Sequence, residues 1–70
     1  MTNVEKYKIY LIEQYLTKNN LAARNVYNIF KNCGIFEYIE RTFEAIHTMS
    51  DAEVLLDIDK QIAEISYMRN

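Results

Sequence analysis

One glycine, Gly34, and no proline in 70 residues leave this chain almost nothing to interrupt a helix except the helix ends themselves. Glycine and proline are the strongest punctuators of local structure, so the sequence predicts an all-α fold of helices joined by short polar links. A chain of this length is expected to form a single helical domain, 1–70. Folding at this size buries only about 60% of the surface that the unfolded chain exposes, which calls for a dense apolar core. Half of the residues are hydrophobic, which meets that demand. Ordering the chain costs roughly 1.5 kcal/mol per residue, a sum that burial only just offsets. Self-association or a partner is therefore a natural source of further stability.

Apolar periodicity predicts a compact bundle of four short helices, about 3–18, 21–33, 36–48 and 51–67. In the first, Asn3 is a candidate N-cap, and two apolar seams run side by side: Val4, Tyr7, Leu11 and Tyr15, then Ile9, Ile12 and Leu16. An arc that wide predicts contact with at least two helices, or a seam lent to another chain. Lys8 lies between the seams, with a stem long enough to snorkel out. After the polar joint Thr17, Lys18, Asn19 and Asn20, Leu21 opens the second helix, with Ala22, Val26, Ile29, Phe30 and Cys33 inward and Arg24, Asn28 and Lys31 opposite. Gly34 followed by Ile35 is the pattern of a left-handed, Schellman-type stop.

In the third helix Ile35, Ile39, Thr42, Phe43 and Ile46 face inward, while Glu37, Glu40, Arg41 and Glu44 face out. Glu37 and Arg41 stand in the favoured i, i+4 order of an ion pair. Ser50 and Glu53 form a capping box, and Asp51 adds negative charge to the first turn of helix four. The core seam of helix four is Val54, Leu55, Ile58, Ile62 and Ile65. A second stripe, Ala52, Leu56, Ala63 and Tyr67 with Asp59 between them, falls away from that seam. It has two readings: packing inside against the N-terminal helix, or a surface for a partner or a second copy, where small residues permit close approach.

Candidate chemistry is sparse. The run from Glu44 to His47 has the Glu-x-x-His spacing of carboxylate-bridged di-metal sites, but such a site needs a second copy of the motif, and His47 is the one histidine. His47 is instead expected to be hydrogen-bonded at the core edge, near a helix C-terminus that favours its charged form. Asp57 and Asp59 point about 160° apart on a helix and lack the glycine and loop of a calcium site, so one of them is expected to cap a loop or pair with a cation and the other to be solvated. Cys33 has no cysteine to pair with and reads as a small buried hydrophobe. No enzymatic activity, metal or cofactor is expected. A helix-turn-helix around Gly34 would place Glu37, Glu40 and Glu44 against phosphate, so nucleic-acid binding is disfavoured and would have to use Arg24, Asn28 and Lys31.

The net charge of −2 conceals a split, with a balance of +3 over residues 1–35 and −5 over residues 36–70. Such a split can orient head-to-tail self-association or present an acidic surface to a basic partner. No stretch has the form of a signal peptide and none approaches the ~20 apolar residues of a membrane span, so a cytoplasmic location is expected.

The ordered set Phe30, Cys33-Gly34-Ile35, Tyr38-Ile39, Ile46-His47-Thr48, Val54 and Asp57-Ile58-Asp59 resembles a family of short uncharacterised bacterial all-α proteins, over roughly residues 9–65. These share Leu-His-Thr and Asp-Ile-Asp elements and are often encoded beside ADP-ribosyltransferase-like toxins. The resemblance brings no established enzymatic activity to carry over and suggests an antitoxin-like or accessory role. Ala22 stands where the family commonly opens its second helix with serine, which implies a weaker cap there or one moved to Asn20, and Ile46 stands where leucine is usual. His47, Thr48, Asp57 and Asp59 match the family's recurring polar positions, with a structural role: the first two end helix three, and an aspartate of helix four accepts from that turn.

The expected function is that of a small interaction module, the antitoxin-like partner of a toxin enzyme. Glu37, Glu40 and Glu44 would steer a basic partner, and Tyr38, Leu56 and Tyr67 would anchor it. The alternative is a structural homodimer pairing the helix-four stripe across a two-fold axis.

Overall fold

Thr2, not Asn3, starts the first helix. In the computed structural model, which describes residues 1–69 and only the backbone of Arg69, its hydroxyl accepts from the Glu5 backbone N–H at 3.1 Å. Asn70, included in the one-domain reading, lies outside the described residues. Four helices follow: α1 (Asn3–Asn19), α2 (Ala23–Asn32), α3 (Ile35–Ile46) and α4 (Asp51–Arg69). The all-α bundle is therefore as the sequence predicts, with shifts of one or two residues at most ends.

The joints have distinct causes. α1 stops because Asn20 takes a left-handed conformation, φ 53°. The Leu21 N–H then donates to the Leu16 carbonyl at 3.0 Å, the long-range bond of a Schellman stop. Leu21 thus belongs to the turn and does not open α2 as expected. Ala22 is the N-cap of α2 and makes no side-chain cap, as the missing serine implied. Gly34, φ 69°, reverses the chain between α2 and α3. Half of the expected box forms: the Glu53 N–H donates to Ser50 Oγ at 3.3 Å, while the Glu53 carboxylate accepts from the Ser50 hydroxyl at 3.0 Å in place of its backbone N–H.

The core gathers Leu11 and Tyr15 of α1, Val26 and Phe30 of α2, Ile35, Tyr38, Ile39 and Ile46 of α3, and Val54, Leu55 and Ile58 of α4. Burying each large apolar side chain stabilises the fold by about 1.5–3 kcal/mol. Tyr15 and Phe36 each meet Phe30 edge-on, at 5.3 and 5.8 Å between ring centres. Ile65, assigned to the core seam, is only half-buried and packs outside this cluster.

Helices α1 and α3 each pack against all three others, whereas α2 and α4 scarcely meet. The α1–α3 pair therefore stands between α2 and α4. α1 runs antiparallel to α3, since Tyr7 donates to the Ile46 carbonyl at 3.3 Å while Lys8 pairs with Glu40. It runs parallel to α4, since Tyr10 bonds Asp51 and Tyr15 bonds Asp59. With Lys18, one residue from the end of α1, reaching Asp59 at 3.5 Å, the last turns of α4 project past the C-terminal end of α1.

Candidate interaction surface

The sequence-predicted residues do not form one site. Tyr38, expected as an exposed anchor, is 8% exposed and part of the core. It lies on the buried side of α3, and burial, then nearby Asp57, raises the Tyr38 phenol pKa above its ordinary value. Glu37, Glu40 and Glu44 do face solvent. Glu40, however, is already engaged by the Lys8 ammonium, which also lies 5.7 Å from the Phe36 ring centre. Lys8 reaches out as its long stem predicts, but to a carboxylate on α3.

The expected Glu37–Arg41 pair does not form: the ion pairs among the described residues are Lys8–Glu40 and Lys18–Asp59. Glu37 instead folds back toward Gly34, its Oε2 lying 3.9 Å from where a Cβ would stand. That places its charge at the electropositive N-terminus of α3.

The polar residues singled out by resemblance are structural in most of their contacts. His47 caps α3, exposed, with Nδ1 2.6 Å from the Phe43 carbonyl and its ring stacked on Phe43 at 4.8 Å. A carbonyl only accepts, so Nδ1 carries the proton in the neutral ring. Thr48 donates to the Ala45 carbonyl at 3.0 Å. Asp59 does not serve the α3–α4 turn as expected. It accepts from the Tyr15 hydroxyl at 2.9 Å and pairs with Lys18, because it lies on the α1 side of α4. Burial, then this bond, push the Tyr15 phenol up to about 12.

The helix-four stripe resolves clearly. Ala52, Leu56, Ala63 and Tyr67 all face solvent, and the reading that packs them against the N-terminal helix is wrong. The contacts of α1 fall on Asp51 and Asp59, on the adjoining side of α4. Leu56 is 53% exposed, Tyr67 84% and Met68 79%, and a shallow apolar depression forms between Ala63, Glu64, Tyr67 and Met68. Glu53, Asp57 and Glu64 flank the stripe on the side facing α3.

Two further grooves went unread in the sequence. One, of about 600 Å³, lies between α1 and α3 and is lined by Asn3, Lys6, Tyr7, Tyr10, Phe43, Glu44 and His47. Its two tyrosine hydroxyls are already committed, to the Ile46 carbonyl and to Asp51. The other, of about 350 Å³, opens where the second seam of α1 is left uncovered: Ile9 and Ile12 meet Tyr27 and Phe36. The two-seam pattern of helix one was its signal. Cys33 is half-buried against the core.

Among the described residues no group of three or more His, Cys, Asp or Glu side chains comes together to hold a metal ion, and no helix is long and apolar enough to cross a membrane. Fold and surface together define a small four-helix module with an apolar outer helix face. The chain belongs to the family described as Protein of unknown function (DUF3791), whose profile matches residues 6–64. Comparison with curated proteins and with solved structures finds no match.

Proposed function

We propose that this chain is a small protein-interaction module that binds another protein through the outer face of α4. The observation that carries the reading is the exposure of Leu56, Tyr67 and Met68 on one projecting helix. Large apolar and aromatic side chains of this kind supply most of the energy of an interface, and the acidic flank of Glu53, Asp57 and Glu64 adds orientation. In a bacterial cytoplasm, the partner of first choice is an ADP-ribosyltransferase-like toxin, toward which the motif resemblance points, and the role is then antitoxin-like.

The test is co-purification with such an enzyme from a neighbouring gene, together with its ADP-ribosylation rate. The wild-type chain is expected to bind and slow the enzyme, and Leu56→Asp and Tyr67→Asp to do neither while staying folded. Equal binding by both variants would remove the α4 face from the account. A structural homodimer is the second reading, favoured by Ala52 and Ala63, whose small side chains let a second α4 approach closely across a two-fold axis. It predicts a molar mass that stops at two chains.

A further inference from the structure

We infer that the chain self-associates head to tail, the outer face of α4 in one copy seating on the α1–α2 groove of the next. This goes beyond the partner-binding reading and uses the same α4 face, so a second copy seated there and a partner exclude each other. The donor surface is the projecting α4, with Leu56 and Tyr67 as apolar anchors and Glu53, Lys60 and Glu64 beside them, two acids against one cation. The acceptor is the groove in which Ile9, Ile12 and Phe36 stand beside Tyr27, itself 50% exposed.

Charge selects the occupant. Arg24 and Lys31 lie three residues before and four after Tyr27, so all three share the outer face of α2. Both cations are exposed and take no part in the ion pairs of the described residues, Lys8–Glu40 and Lys18–Asp59. α2 contains no acidic residue at all. The groove itself is also lined by Glu5 and by Lys8, the latter already paired with Glu40, so the unpaired cations lie beside it on α2. An apolar groove with a basic flank fits an acidic, apolar helix, and this chain carries one. The pairing also accounts for the +3 and −5 balance of the two halves, since the acceptor lies in the first half apart from Phe36 and the donor lies wholly in the second.

Geometry then sets the mode of growth. α2 and α4 stand on either side of the α1–α3 pair, so the donor and acceptor faces of one molecule point in different directions. Two different faces make a heterologous contact, which adds copies in series and does not close after two.

Two variants test this in isolation from any partner. Leu56→Asp with Tyr67→Asp removes the donor, and Arg24→Glu with Lys31→Glu removes the acceptor; far-UV circular dichroism and Tm establish that each is folded, and Tyr67→Asp alone serves as a milder donor variant. Light scattering on size-exclusion fractions should show wild-type mass rising past two chains with concentration and falling back in about 1 M salt, where the screening length is about 3 Å. Each variant alone should be monomeric, its association weakened roughly tenfold or more. Their equimolar mixture should form a 1:1 dimer and stop, because one intact donor and one intact acceptor remain. A mixture that stays monomeric overturns the inference. So does a wild type that remains monomeric, or that halts at a dimer.

Discussion

Replacing Gly34 with alanine isolates the conformational cost of the joint between α2 and α3. Its φ of 69° lies in the left-handed region, which L residues other than glycine enter at about 1–2 kcal/mol. Steric cost is absent, because the nearest atom to a new Cβ would be Glu37 Oε2 at 3.9 Å, ordinary contact distance. Alanine also stiffens the unfolded chain, which offsets about 0.4–1 kcal/mol. The net destabilisation should be about 1 kcal/mol, a fall in Tm of roughly 4–8 °C for a domain of this size. Against a total stability of roughly 4–10 kcal/mol the loss is readily measured. Thermal and urea unfolding followed by far-UV circular dichroism provide the assay. Gly34→Asn should lose less, since asparagine enters the left-handed region more readily. An unchanged Tm in Gly34→Ala would refute the argument. A loss above about 3 kcal/mol would do so as well, by revealing a clash that this geometry does not contain.

Three other outcomes follow from the same structure. Ala22→Ser should restore an N-cap to α2 and raise stability by about 0.5–1 kcal/mol, read as a higher urea midpoint at unchanged slope; no gain would mean that the α2 start is misplaced. Leu56→Asp and Tyr67→Asp should each change stability by less than about 0.5 kcal/mol, because both side chains face solvent, and a large loss in Tm would place them inside the fold. Tyr15 gives the pH dependence: its phenol titrates near 10 when unfolded and at about 12 when folded, so its stabilising contribution is complete below pH 10 and is lost as pH rises through 12. Tyr15→Phe, lacking the bond to Asp59, should be about 1 kcal/mol less stable than wild type below pH 10, and that gap should close between pH 10 and about 12 in urea titrations; a gap independent of pH would contradict the assignment.

The parts of the fold that could be read from the sequence are those where local chemistry has one outcome. Gly34 without proline elsewhere, and Ser50 with Glu53, mark ends that no tertiary contact overrides. Asn20 is harder to read, because asparagine only tolerates the left-handed conformation that glycine announces, so the sequence by itself puts the start of α2 at Leu21. Tyr38 is hard to read because α3 buries a wider arc than its aliphatic spacing shows: α3 packs against all three other helices, and only Glu37, Glu40, Arg41, Glu44 and Ala45 stay exposed. The partners of Asp59 and Glu40 lie 44 and 32 residues away in the chain, and no local spacing encodes them. For the surface, the two seams of helix one and the stripe of helix four were both visible. What periodicity could not supply was which stripe the fold leaves uncovered, since that depends on the parallel register of α1 and α4.

The central claim is that the outer face of α4 is where another protein sits, and site-specific photo-crosslinking in living cells tests it most directly. A photoreactive residue in place of Leu56 should give a discrete adduct with one other protein, identified by mass spectrometry and distinct in mass from the self-adduct that head-to-tail association gives, while the same residue in place of exposed Thr17, away from that face, should give neither. No adduct with another protein at Leu56, or the same adducts at both positions, would contradict the account.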